Sequence, residues 1–348
     1  MSGRVYLDWN ASAPLRAEAR AASIAALDQC GNPSSVHGEG RRARAIVERA
    51  RRQVAEALGA ADAEVIFVSG ASEAAALALA GRRLDCSEVE HAAVRAWCRP
   101  VLPVSPDGAI AVSAPASSAV QLANAETGIV QALPRGVGLC DATQGFGKLP
   151  VAFGWLGCDM MMVSAHKIGG PRGVGALVVR PGVELAPVVR GGGQEMGRRS
   201  GTENVSGIAG FGAAAEAAAR DLANGVWEEV AQRRALLERA ILDAAPDTVI
   251  IGRGADRLPN TTCMATPGWK GETQVMVLDL AGFAVSAGSA CSSGRTRASP
   301  VLRAMGHDET ISRGALRVSI GPATTDEDVL RFADTWAAAR ARHGHKAA

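Results

Sequence analysis

"SAHK" (residues 164–167) sets Lys167 directly after an apolar run and before the glycine-rich turn "KIGGPRGV". A lysine at the end of a buried strand is poorly placed for solvation. Partly desolvated, its amine has a lowered pKa and condenses with aldehydes. An ordinary loop lysine is the alternative, and other residues weigh against it. Asp141 ends the preceding strand in "CDATQGFGK", where a carboxylate can keep a pyridine nitrogen protonated. "SGASE" (69–73) reads as a strand-to-helix turn whose backbone N–H groups, with the Ser72 hydroxyl, suit a phosphate. Amine, carboxylate and phosphate turn together match pyridoxal 5'-phosphate (PLP), an aldehyde with a ring nitrogen and a phosphate. "SAGSACSSGRTRASP" (286–300) adds a thiol, Cys291, in a Gly/Ser stretch with little to bury it. Such a stretch reads as a loop, so Cys291 is either a nucleophile or an incidental linker cysteine.

These groups need a scaffold of alternating strands and helices. "EVIFVS" (64–69) reads as a strand and "SEAAALALA" (72–80) as the following helix, with Ser72 as its N-cap. "GVGLCD" (136–141), "DMMMVSA" (159–165) and "GALVVR" (175–180) are further buried strands. Residues 203–244 are Ala-rich and helical, bridging to a smaller α+β region with "TVIIG", "NTTCMAT", "AVSAG" and "ALRVSIG" as strands and a closing helix near 325–341. The order implies an α/β fold with a parallel or mixed sheet.

The 348 residues, 47% apolar and 21% charged with net charge +2, describe a globular chain with no electrostatic reason to bind nucleic acid or an anionic membrane. The arginines at 41, 42, 44, 49, 51 and 52 fall in a helical pattern and read as a solvated face. Seven irregularly spaced cysteines form neither CxxC pairs nor a Cys/His cluster, so no metal site is expected. Without a signal-like or membrane-length apolar run, the chain is expected to be cytoplasmic with reduced thiols. "GGPRGVG" has the wrong spacing for a dinucleotide turn, and "GFGKL" lacks the elements of a P-loop.

The sequence resembles the cysteine desulfurases, PLP enzymes of the class V aminotransferase group. The likeness runs in order through "YLDWNASAP" (6–14), "GNPSSVHGEGRRAR", "VIFVSGASEAAALAL", "EHAAV", "ANAETG", "CDATQGFGKLPV", "SAHKIGGPRGVGAL", "GGGQEMGRRSGTENVSGIAG", "SAGSACSSG" and "RGALRVSIG". It implies the type I fold of PLP-dependent transferases. The expected division is a large domain over 15–245 with a mostly parallel central sheet flanked by helices, and a small α+β domain made of 1–14 and 246–348. By resemblance, Lys167 carries PLP and moves protons on the substrate carbon, and His91 stacks on the ring and serves as acid or base. Asp141 pairs with the ring nitrogen and Gln144 with the phenolic oxygen. Ser72, Ser164, His166 and the Ala71 amide hold the phosphate, joined by Thr202 from a neighbouring subunit of a homodimer. Arg317 binds the carboxylate of L-cysteine. Cys291 takes the substrate's sulfur as a persulfide, releasing L-alanine, and passes it to an iron–sulfur scaffold or another acceptor protein. "SSGRTRASPVLRAMG" resembles the long-loop subgroup that serves iron–sulfur assembly. The other six cysteines, in apolar or helical contexts, are expected to be structural.

The chain departs from the family pattern at Ala125 and Ala76, where asparagines are usual, at Ser72 in place of Thr and at Trp9 in place of Asn. Asn124 is not expected to inherit the role of the missing asparagine. The segment between Gly81 and Gln121 is compressed, and "ALPRG" replaces a helix before the strand at 136. The competing readings are a selenocysteine lyase, another class V reaction, and a diverged paralogue that binds PLP weakly and acts through partners. Cys291 argues against a transaminase, which needs no loop nucleophile.

Overall fold

The computed structural model describes residues 3–288 and 298–347. Its central sheet has five strands in the order Glu64–Val68, Gly175–Val179, Met160–Ser164, Leu139–Asp141, Ala119–Gln121. Four of them point the same way, and Gly175–Val179 alone opposes both its neighbours. The expected mostly parallel α/β sheet is therefore present. Runs such as "MMMVS" and "GALVV" are apolar throughout because both faces of the sheet are covered. Val65, Phe67, Met161, Val163, Ala176 and Val178 point to one face, and Ile66, Met160, Met162, Leu177 and Val179 to the other.

Helices Gly38–Ala57 and Val205–Ala223 cover the first face and Ala71–Leu79 the second. In Gly38–Ala57 the buried residues Ala43, Val47, Ala50 and Val54 recur every three or four positions, as one helix face requires. Gly212 of the partner helix has no side chain because a Cβ there would lie 2.7 Å from the Ala50 Cα. The basic face is solvated at Arg41, Arg42, Arg44, Arg49 and Arg52, but Arg51 departs from that expectation. It turns inward to Glu195, whose carboxylate also accepts from the Phe67 amide.

A second, antiparallel sheet is ordered Ser286–Ala287, Ala315–Ser319, Thr261–Ala265, Val249–Ile250. Its core joins Leu316 and Val318 to Trp227, Leu237 and Ile241 of helix Val226–Ala244 and to Phe332 and Trp336 of the last helix. The N-terminal strand Val5–Tyr6 pairs in parallel with Phe283–Ala284, which carries Val5 and Leu7 into this same core. No helix among the described residues is long and apolar enough to cross a membrane.

Three details differ from the sequence reading. The helical stretch 203–244 is two helices, broken where Gly225 takes φ 73°, a conformation open to glycine. The helix after the first sheet strand begins one residue early, so its N-cap is Gly70 and Ser72 lies inside the first turn. Cys30 is exposed instead of packed, while Cys86, Cys140, Cys158 and Cys263 are buried.

Candidate active site

Because four sheet strands point the same way, their carboxyl ends bring distant loops to one edge, where α/β folds place ligands. Val68 leads into Ser69–Ser72, Gln121 ends its strand, Asp141 ends the next, and Ser164 leads into the tight turn Ala165–Lys167. A cavity of about 600 Å³ opens there. It is lined by Ala71, Ser72, His91, Asp141, Gln144, Ser164, His166, Lys167 and Arg317, nine of the residues singled out by sequence. Thr202 is exposed and lies outside this lining. Cys291 lies outside the described residues.

The Lys167 ammonium donates to the carbonyls of Asn10 at 2.7 Å and Ala11 at 3.0 Å. Asp141 accepts from the Thr143 amide at 2.9 Å. Burial pushes its carboxyl above the ordinary aspartate range, against the downward pull of Thr143, His91 and Lys167. His91 caps the helix Ala92–Arg95, its Nδ1 accepting from the Ala93 amide at 3.1 Å. With Nδ1 used as acceptor, the neutral ring carries its proton on Nε2. His166, its Nδ1 3.3 Å from Ser12 Oγ, is pushed down to about 4 by burial, then by Lys167 and Arg172, and so is neutral at pH 7.

Arg317 is no surface arginine: it is 7% exposed, on the second sheet, and its side chain crosses to the cavity. One terminal nitrogen donates to Asp8 at 2.7 Å and the other to the Ala125 carbonyl at 3.1 Å, while Nε is buried with no partner. Asp8 also accepts from Ser286 Oγ at 2.8 Å. Ala125 sits on a turn built by Asn124, whose Oδ1 accepts from the amides of Glu126 and Thr127 at 2.9 Å each. The Asn124 side chain is thus consumed by the turn, as expected, and only the small Ala125 side chain faces the cavity.

Sequence reasoning missed Asp8, Asn10 and Lys148. Asn10 is fully buried and ties the N-terminal segment to the second sheet through Ser319, Thr261 and Asn260. Lys148 is buried behind Gln144 and donates to Asn10 Oδ1 at 3.0 Å and Gln144 Oε1 at 2.9 Å. Its only sequence signal was the spacing of four residues from Gln144 in "QGFGK". For Asp8 and Asn10 the partners lie hundreds of residues away, and no local pattern marks them.

The residues present fit PLP. The buried Arg317 Nε lacks a partner, the turn at 70–72 offers backbone N–H groups and a hydroxyl, and amine and carboxylate stand in one cavity. Among the described residues no group could hold a metal ion.

The class-V aminotransferase family model matches residues 5–99 and 118–332. The unmatched stretch between them falls in the compressed segment. A cysteine desulfurase of Cereibacter sphaeroides is 41% identical, with 94% of each chain covered. A solved NifS-like protein superposes with a TM-score of 0.88 at 30% identity, covering 97% of this chain and 99% of its own. SspA in complex with cysteine superposes with a TM-score of 0.74 at 25% identity, over 92% of this chain and 99% of its own. The chain belongs to the class-V aminotransferase family and, within it, to the cysteine desulfurases.

Proposed function

We propose that this protein holds PLP in the cavity and takes the sulfur from L-cysteine onto Cys291, leaving L-alanine. The observation that carries this reading is the convergence of Lys167, Asp141, Arg317 and the 70–72 turn on one cavity. Bound there, PLP would supply an electron sink for the substrate's α-carbon. Lys167 would hold the cofactor's carbonyl carbon and then move protons at the substrate carbon. Asp141 would hold a proton on the ring nitrogen, a cation that offsets the cost of ionising a buried carboxyl. His91, with its proton on Nε2, would lie over the ring as acid or base. Ser72, Ser164, neutral His166 and the Ala71 amide would hold the phosphate.

Arg317 would bind the substrate carboxylate through its planar fork. The Cys291 thiolate would attack the substrate sulfur, forming an S–S bond as the C–S bond breaks. The electron pair of the broken bond passes to the carbon skeleton, which takes up a proton equivalent to the one the Cys291 thiol gave up and leaves as L-alanine. The resulting persulfide would pass to an acceptor protein such as an iron–sulfur scaffold. A homodimer in the cytoplasm is the expected setting, with the exposed Thr202 serving the neighbouring copy's phosphate site.

Alanine and sulfide release from L-cysteine, measured with PLP and a thiol reductant, tests the reading. Wild type is expected to release both. Cys291→Ser should keep the bound chromophore and lose sulfur transfer, and Lys167→Ala should lose the chromophore. Normal turnover by Cys291→Ser would sink the mechanism.

A further inference from the structure

Lys148 stands apart from the cavity lining, yet it is buried and held at two oxygens. Its Nζ is enclosed by Asn10 Oδ1 at 3.0 Å and Gln144 Oε1 at 2.9 Å. No carboxylate accompanies it among its described partners. The Asn10 amide has its own orientation fixed, because the same Oδ1 accepts from Asn260 Nδ2 at 3.0 Å and Nδ2 donates to Thr261 Oγ1 at 2.8 Å. Lys148 must therefore donate to Asn10, whether its nitrogen is an ammonium or a neutral amine, and a further N–H remains for Gln144 in either state. Facing that donor, Gln144 has to present its oxygen and turn its NH2 the other way. The NH2 group then donates to the Asn10 carbonyl at 3.0 Å, the same oxygen that takes the Lys167 ammonium at 2.7 Å.

We propose that Lys148 is a positioning residue that locks the Gln144 carboxamide with its NH2 toward Lys167 and the cavity. Without Lys148 only the Asn10 carbonyl would favour this orientation, and a flipped amide would turn its oxygen toward the cavity. Oxygen repels a phenolic oxygen and NH2 donates to it, so the lock decides whether Gln144 assists the cofactor or opposes it. Burial together with Lys167 and Arg317 pushes the Lys148 amine well below the ordinary lysine range. The lock survives that shift, since a neutral amine keeps two N–H donors for its two oxygens and the Asn10 carbonyl favours the same orientation of Gln144. The inference rests on the PLP reading of the site.

The test uses the full-length protein loaded with PLP and reads the pH midpoint of the cofactor's visible absorption, which reports the proton on the Lys167 nitrogen. Losing the donor to the phenolic oxygen leaves that oxygen more basic, so Lys148→Met should raise the midpoint and weaken PLP binding about ten-fold. In a Gln144→Ala background, Lys148→Met should move neither quantity further, because the residue acts through Gln144. Equal shifts in both backgrounds would overturn the proposal, as would an unchanged midpoint in the single variant.

Gln144→Glu keeps the test open if Lys148→Met does not fold. A carboxylate there still faces Lys148 but has no donor left for the Asn10 carbonyl or for the cofactor, so the loaded midpoint should rise. An unchanged midpoint would mean that the Gln144 NH2 does not serve the cofactor and would overturn the proposal. If wild type develops no visible absorption with PLP, the cofactor reading itself fails, and the lock with it. If wild type absorbs and the variants match it, the lock alone fails.

Discussion

Arg317 Nη2 donates to Asp8 Oδ1 at 2.7 Å, joining the second sheet to the N-terminal segment at the edge of the cavity. The pair is mostly buried, with 9% and 18% of the two side chains exposed. Asp8 aims the guanidinium and partly neutralises it, so a substrate carboxylate meets a donor fork already fixed in place. Arg317→Lys keeps the charge and loses the fork. Its KM for L-cysteine should rise at least about ten-fold, the scale of a lost bond to a charged group. The visible absorption of bound PLP should stay unchanged. Steady-state kinetics beside a PLP titration checks both, and an unchanged KM would remove Arg317 from substrate binding.

Asp141 contributes a pH dependence of definite sign. Burial raises its carboxyl above the unfolded value of 3.8, so the folded protein holds this proton more tightly than the unfolded chain. The cofactor-free protein therefore loses stability as pH rises from the unfolded value through the folded one, and above that window the full cost of an ionised buried carboxyl is present. Asp141→Asn removes the cost and keeps an oxygen for the Thr143 amide. At pH 8 the cofactor-free variant should melt no lower than wild type, while PLP binding weakens at least ten-fold. Thermal melts with and without PLP test the trade; a variant that binds PLP normally would deny Asp141 its role.

His166 works in the opposite sense. Its folded value of about 4 lies below the ordinary 6.5, so the unfolded chain takes up the proton first as pH falls. This contribution is fully present above pH 6.5 and is lost between about 6.5 and 4. His166→Gln should flatten the fall in Tm across that window in the cofactor-free protein. A bound phosphate beside the ring should raise its pKa and flatten the wild-type curve as well. Parallel Tm–pH profiles for variant and wild type would show that His166 is not the group responsible.

What was legible in the sequence follows from the range of each interaction. The sheet strands were readable because burial on both faces demands apolar runs, and those runs are local. Asp141, Lys167 and the 70–72 turn were readable because each ends such a run. Ser72 was misplaced as a cap because sequence cannot show that the backbone at Gly70 already starts the helix. The break at Gly225 was missed because Ala-rich periodicity resumes directly after it. Asp8, Asn10 and Lys148 stayed hidden for a deeper reason. Asp8 meets Arg317, Asn10 meets Asn260 and Lys148 meets Asn10 only when the N-terminal segment has packed against the rest of the fold.

Ala125 is the departure from the family pattern that touches the site most directly. Its carbonyl accepts from Arg317 Nη1 at 3.1 Å and from Asn10 Nδ2 at 3.3 Å, bonds that any residue at this position retains. What the alanine lacks is a polar side chain on the cavity wall beside Arg317 and Gln121. The turn that carries it is held by Asn124, so a longer side chain at 125 leaves the backbone in place. Ala125→Asn adds a carboxamide donor where the substrate carboxylate and the cofactor's phenolic oxygen would meet. A hydrogen bond to a charged group contributes about 1.5–3 kcal/mol, so KM for L-cysteine should fall by about ten-fold. Kinetics of the variant with and without Arg317→Lys separates the two anchors. If Ala125→Asn offsets part of the loss in the Arg317→Lys background, the two side chains serve one carboxylate. If it raises KM in both backgrounds, the cavity is shaped for alanine at this position, and the substitution is a fitted feature of this chain.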